Sequence, residues 1–428
     1  MSEELRQYKL NNGLQVNLKE IHSAPIISHW VWYRVGSRNE VAGLTGISHW
    51  VEHMQFKGTH KFPNGVLDRA ISRDGGMWNA FTYLDWTTFF ETMPADKISL
   101  ALELESDRMV NSIYDPEEVN SERTVVISER EGNENDPLFK LDEQMQEAAF
   151  KQHPYRNEVI GSIADLRAIQ RDDLYNHYRS HYCPSNAILA MAGDFDSDEM
   201  IKDIEKLYGG IPGGEVRTHQ PQREAPLAKE ERIEVKGPGE TTYLILSYRA
   251  PAGNEDDFFA VSVLDSLITG PSSLNMFGGG GISNKTSRLY QELVEKEYAV
   301  SVYGGLQATI DPHLYSINLT VRPEKKPDQV LKQTDKQIER IQQDLVSQEE
   351  INRAVKQARA LFAYGSENIT NQGFWLGYAE MFADYSWFTH YVDRMNSVTP
   401  QMVRDAAQRY LARSRRVVGV YLPQEVNA

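Results

Sequence analysis

The stretch Gly46-Ile-Ser-His-Trp-Val-Glu-His-Met-Gln-Phe-Lys-Gly-Thr59 carries the strongest signal in the chain. Read as a helix with Ile47 at zero, Ile47, Trp50, Val51 and Met54 fall within about 60° of one direction. His49, Glu52 and His53 lie opposite, between about 140° and 240° on the same count. The helix therefore has a packing face and a separate chemical face. Two imidazoles one turn apart on that chemical face can hold a single metal ion. Reading them as ordinary surface histidines requires a chance H-x-x-E-H match, on the order of a few per cent in this composition.

Two histidines leave a tetrahedral site short of one protein ligand beside the open position. A helix over Glu118–Arg130 offers Glu122 and Glu129, seven residues apart and so on one face. Val125 and Val126 flank that face, so both carboxylates are expected to project from a partly apolar stripe. Unpaired carboxylates are costly there, and a metal or a donor explains them better than solvation.

Working outward, Gln7–Leu10 and Leu14–Leu18 around Asn11-Asn12-Gly13 read as a β-hairpin. Pro25–Val35, Thr87–Thr92 and Ala187–Ala192 read as strands, and a helix starts near Thr45. Further helical patterns cover Lys97–Ile113, Pro116–Glu131 and Arg171–His181. No regular βαβ rhythm emerges, so the fold class is α+β. From Gly209 to Gly239 Pro, Gly and charge replace apolar periodicity, the best domain boundary in the chain. Beyond it, Thr242–Arg249 and His313–Val321 are expected strands. Pro327–Leu345 and Gln348–Phe362 are expected helices, the second opened by a Ser347/Glu350 capping box. The segment from Ile169 to Asp194 parallels the one from Val398 to Pro423: a helix closing on Tyr, a polar break, an apolar strand. That likeness at the end of each half indicates duplication. The expected division is 1–215 and 236–428, two related α+β domains, with 216–235 as linker.

Composition narrows the function classes. The 428 residues carry 45 Lys+Arg against 61 Asp+Glu, a net charge of −16. That disfavours nucleic-acid binding, which needs clustered positive charge. A single cysteine, Cys183, excludes an internal disulfide and any multi-cysteine metal site. The longest apolar runs fall far short of a membrane span, and the start, MSEELRQYKL, has no apolar signal core, so a cytoplasmic chain is expected. Gly278–Gly281 invites comparison with a nucleotide loop, but Asn284 precedes Lys285-Thr286 where a glycine is required. The aromatics Phe374–Tyr391 read as core or interface.

The motif is the inverse of H-E-x-x-H, and here the chain resembles the pitrilysin/insulinase family of zinc peptidases, in its processing-peptidase-like branch. In that family the third ligand is a Glu about 76 residues after the motif, preceded seven residues earlier by a second acid. Glu129 and Glu122 stand at those positions. The resemblance therefore implies His49, His53 and Glu129 as Zn2+ ligands, Glu52 as the catalytic base and Glu122 as an acid supporting the ligands. Val35–His49, Phe56–Pro63 and Gln152–Leu166 also look like family blocks. Asn79, Ala80, Phe81 and Thr82 resemble the edge strand to which the family's peptide substrates add.

One departure is sharp. Active members carry an Arg and a Tyr seven residues apart after a Ser-Arg-Leu-Tyr-Gln-Glu segment. Here that segment is Ser287–Glu292, and the expected positions hold Val294 and Ser301, with Tyr298 and Tyr303 out of register. Two domains also make only half of the family's four-domain clamshell. The resemblance thus implies a zinc metalloendopeptidase subunit that cuts peptides or unfolded segments and depends on a sister subunit for the Arg/Tyr pair. A homodimer, or a non-catalytic binding subunit that keeps the fold, is the alternative.

Overall fold

In this computed structural model, residues 4–216, 220–272, 274 and 282–424 are described. Gly278–Gly281 lies outside them. The chain forms two compact units: Met1–Glu131 with Asn157–Pro221 and Glu367–Tyr385, and Gly132–Arg156 with Gln222–Ser366 and Ser386–Ala428.

The first half runs β1 (Leu5–Lys9), β2 (Gln15–Glu20), β3 (Ile26–Tyr33), α1 (Ile47–Met54), α2 (Val66–Arg73), β4 (Met77–Thr82) and β5 (Thr87–Pro94). It continues through α3 (Ile98–Asn111), α4 (Pro116–Asn133), α5 (Pro137–Ala149), α6 (Ile163–Ala168), α7 (Arg171–His181), β6 (Ala187–Gly193) and α8 (Ser197–Tyr208). The second half runs β7 (Glu231–Pro238), β8 (Tyr243–Arg249), α9 (Asp257–Ile268), β9 (Ala299–Gly305), β10 (Leu314–Val321), α10 (Pro327–Gln343) and α11 (Gln348–Tyr364). It ends with α12 (Ile369–Phe382), α13 (Tyr385–Thr389), α14 (Tyr391–Asn396), α15 (Pro400–Tyr410) and β11 (Arg416–Gln424). Among these, no helix is long and apolar enough to cross a membrane.

The two sheets repeat one plan. The first has the order β1-β2-β6-β3-β5-β4, the second β7-β11-β8-β10-β9. Without the N-terminal hairpin strand the orders coincide, and each contains one parallel pair at the same place, β2 with β6 and β7 with β11. The hairpin forms about Asn11-Asn12-Gly13, with Gly13 at φ 95°, and the Ser347/Glu350 capping box opens α11 as expected.

The units are not the contiguous blocks 1–215 and 236–428. Helix α5 comes from the first half but packs on β7, β8 and β11, while α12 comes from the second half and packs on β2, β3 and β6. Each helix covers the corresponding strands of its sheet. Side-chain size permits this close cover. Gly373 and Gly377, one turn apart on α12, lie against Trp30 and Trp32, and a Cβ at either would overlap the indole. In the second unit the glycine is on the strand, where Gly419 admits Met145 and Leu141 of α5. The late aromatics are accordingly core in both units. Phe374 packs 5.7 Å from Trp30, and Trp387 packs 5.7 Å from Phe258.

Beneath the first sheet lies a fully buried charged group. Arg108 Nε donates to Glu105 at 2.8 Å and its guanidinium stands 3.7 Å from Glu91, which shares a 2.9 Å hydrogen bond with His29. Phe89 receives the guanidinium face at 4.1 Å. Removing the cation leaves buried carboxylates uncompensated, so Arg108→Met is expected to cost about 3–5 kcal/mol. Urea unfolding measures it, and a loss below about 1 kcal/mol would show that the carboxylates are neutralised without Arg108.

Candidate metal centre

Helix α1 begins at Gly46, whose φ of 85° is open to glycine and costly for other residues. A Cβ there would also strike the Ile160 carbonyl. The Glu40 carboxylate accepts hydrogen bonds from the Gly46 and Ser48 N–H groups at 2.9 Å each, satisfying free donors at the helix start. Thr45 Oγ1 donates to Asp165 at 2.6 Å, so the segments before α1 and at α6 meet and hold the helix entry. Beyond it, Ile47, Trp50, Val51 and Met54 are buried as the periodicity requires.

The opposite face meets α4. His49 Nε2 lies 3.8 Å from Glu129 Oε1, and His53 Nε2 lies 3.5 Å from Glu129 Oε2. One ligand atom from each of His49, His53 and Glu129 falls within 4.8 Å of the others. A tetrahedral ion with bonds of about 2.0–2.1 Å spaces its donors about 3.3 Å apart, so these three residues fit such an ion with little adjustment. Trp50 takes the Arg123 guanidinium on its ring at 4.7 Å, a further tie between α1 and α4.

Glu122 stands one layer back. Its Oε1 is 2.8 Å from His53 Nδ1, and its other oxygen pairs with Lys57. Burial alone would raise this carboxyl, but the bonds from His53 and Lys57 outweigh it and hold it below the ordinary value. An ionised Glu122 accepts, so Nδ1 of His53 donates and Nε2 is left to face Glu129. Burial, then the nearby His53, lowers His49 to about 3, which keeps its imidazole neutral and able to ligate. The expected apolar stripe on α4 holds only at one end. Val126 is buried, whereas Val125 is 47% exposed and the Glu129 side chain 42% exposed. Glu129 therefore faces solvent beside the histidines rather than sitting in an apolar groove.

Glu52 is buried beside these groups without joining the three-residue cluster. Burial raises its carboxyl to about 7, against the pull of a hydrogen bond from Thr82. That bond, Thr82 Oγ1 to Glu52 Oε2 at 2.6 Å, links it to β4. Strand β4 contains Asn79, Ala80, Phe81 and Thr82, pairs with β5 in register Asn79↔Phe90 to Thr82↔Thr87, and ends its sheet. Its outer edge has no strand partner among the described residues. Peptide main chain can add there, and the strand's last residue holds the buried carboxylate.

Lys57, Glu40 and the side chain of Thr82 are not among the residues that the sequence pattern marks. Lys57 had a signal: it lies four residues past His53, one further turn along. Glu40 and Thr82 act across the fold and have none. In the second unit, Val294 closes the short helical turn Tyr290–Val294, and Ser301 lies on β9 bonded to Thr320. Arg288 of the Ser-Arg-Leu-Tyr segment pairs with Glu350 at 2.8 Å, a structural use.

Residues 15–162 match the family model described as Insulinase (Peptidase family M16), and 168–358 match the one described as Peptidase M16 inactive domain. The chain belongs to peptidase family M16. This M16 chain is 27% identical over 426 residues to an uncharacterized zinc protease of Streptomyces coelicolor, covering 97% of itself and 89% of that protein. It is also 27% identical over 302 residues to a probable mitochondrial-processing peptidase subunit beta of Arabidopsis thaliana, covering 70% of itself and 56% of the relative. The crystal structure of a protease from Helicobacter pylori superposes with a TM-score of 0.90 at 24% identity, over 98% of this M16 chain and all of the other.

Proposed function

We propose that this M16 chain is the zinc-bearing subunit of a metallopeptidase that hydrolyses peptides or unfolded segments in a closed chamber. The observation that carries the reading is the convergence of His49, His53 and Glu129 next to a separate buried carboxylate, Glu52, at the end of an open strand edge. The nitrogen, nitrogen and oxygen donor set suits zinc, and relatives named zinc proteases support that metal. Zinc in such a site supplies Lewis acidity, lowering the pKa of water and polarising a carbonyl.

The chain's own residues do the rest. Substrate main chain pairs along Asn79–Thr82, which lays the scissile bond beside α1. Thr82 holds Glu52 Oε2, leaving Oε1 to take a proton from the attacking water and return it to the departing amine. Glu122, kept ionised by Lys57, orients His53.

Val294 and Ser301 stand where the resemblance leads one to expect the substrate-holding Arg and Tyr, so a sister subunit is proposed to supply that pair. The non-catalytic reading draws on the name of the model matched by residues 168–358, but that region does not contain the three-residue cluster. Co-purification from the source cell, followed by peptide-cleavage assays, tests the proposal. About one zinc per chain, little cleavage alone and restored cleavage on mixing with a second subunit are expected. Strong cleavage by the purified chain alone would remove the sister subunit, and an absence of zinc after gentle purification would remove the enzyme.

A further inference from the structure

The second unit contains a cavity of about 160 Å³ that takes no part in the proposed chemistry. It lies where β8 ends and β10 begins, beside the C-terminal end of α15. Ala149, Pro226, Leu227 and Leu314 supply apolar walls, and Arg249, Arg409 and Arg415 also line it.

The three arginines are not equivalent. Arg409 is paired with Asp257, to which Tyr410 Oη also donates at 2.7 Å, so that cation is spoken for. Arg415 has no ion-pair partner among the described residues. Arg249 donates one N–H to the Ala149 carbonyl at 2.7 Å and lays its face on Phe150 at 4.0 Å, with no carboxylate at ion-pair distance among the described residues. The nearby Glu224 carboxylate is instead occupied by the Lys151, Gln152 and His153 N–H groups. The guanidinium is thus fixed in orientation by a backbone carbonyl and a ring, while its charge is left largely uncompensated. Burial lowers Arg249 to about 10, and the Glu224 charge only partly offsets it.

We propose that this cavity binds a small monocarboxylate with a compact apolar body. A planar guanidinium held by stacking presents its remaining N–H groups as a fork for a carboxylate. An apolar cavity of about 150 Å³ accommodates a benzene-sized group. Ala149, Leu227 and Leu314 are the surfaces such a body would cover. A phosphate would leave those walls unused, and a polyanion would exceed the volume. Two sources share the required chemistry, a free aryl or branched-chain acid and the C-terminal residue of a peptide.

Calorimetric titration of the full zinc-loaded chain tests this with benzoate, benzamide, and Gly-Gly-Phe with a free or an amidated C-terminus. Benzoate is expected to bind one to one, at least about tenfold tighter than benzamide, and more weakly as salt rises. Gly-Gly-Phe binding only in its free-acid form would identify peptide C-termini as the source, and binding of benzoate alone would identify free acids. Arg249→Met and Leu227→Trp should each weaken benzoate by at least about tenfold, the first by removing the fork and the second by filling the cavity. Leu227 lies outside the helices and strands, so its variant keeps the test valid where loss of the Arg249 contacts lowers stability. Retained benzoate binding in Leu227→Trp would place the acid elsewhere, at the metal for instance, and overturn the proposal. So would equal binding of benzoate and benzamide, or no binding of either.

Discussion

Glu52→Gln is expected to keep zinc and lose about 10²–10⁴-fold in kcat. The amide has nearly the shape of the carboxylate, and its oxygen can still accept the Thr82 hydroxyl that Glu52 accepts at 2.6 Å. Packing around α1 should therefore survive, and the three residues that converge for the metal are untouched. What disappears is a group able to take a proton from water. The pH profile carries the same signature. Burial raises the Glu52 carboxyl from 4.5 to about 7, and a bound cation pulls it back. A base acts only when ionised, so activity should rise with pH along a limb lying between those values. Metal analysis, with single-turnover cleavage of a fluorogenic peptide by the chain mixed with its second subunit, reads both effects. Unchanged cleavage by the variant would give the base to another residue.

Glu129→Gln should act on the metal rather than the fold. It replaces the one anionic ligand of the three, and zinc affinity is expected to fall by at least the roughly 10–100-fold that loss of a supporting partner costs. Because the Glu129 side chain is 42% exposed on the surface of α4, the metal-free variant should unfold at the same temperature as the metal-free parent. Chelator competition measures the affinity, and excess zinc should recover part of the activity. Low pH should mimic the variant, since the ligands bind metal only when deprotonated and His53 is held above its ordinary value by Glu122, Glu52 and Glu129 despite its burial. Equal zinc affinity in parent and variant would exclude Glu129 as a ligand.

The two variants differ in how openly their residues stand in the sequence. Helical period alone separates Ile47, Trp50, Val51 and Met54 from His49, Glu52 and His53, because the 3.6-residue turn assigns each a direction before any neighbour is known. The same arithmetic puts Glu122 and Glu129 on one face of α4, and the Ser347/Glu350 box opens α11 by bonds that span three residues. Duplication is legible for a related reason: each copy must build the same helix, break and strand. The contacts between distant segments are a different matter. Thr82 holding Glu52, Glu40 capping α1 and Arg123 under Trp50 join segments 30, 8 and 73 residues apart, with no periodicity to announce them.

The largest such gap concerns α5 and α12. The residues of α12 are buried nearly all round, including Phe374, Trp375, Leu376, Tyr378 and Phe382, so amphipathicity marks no single packing face and names no sheet to cover. Its place against Trp30 and Trp32 depends on Gly373 and Gly377 matching two indoles more than 340 residues earlier in the chain. Local periodicity settles which side of each helix carries chemistry and which residues can ligate. The tertiary structure decided which sheet each exchanged helix covers, which hydroxyl holds Glu52 and which lysine keeps Glu122 ionised. These depend on shape and charge meeting across long loops, and local periodicity encodes neither.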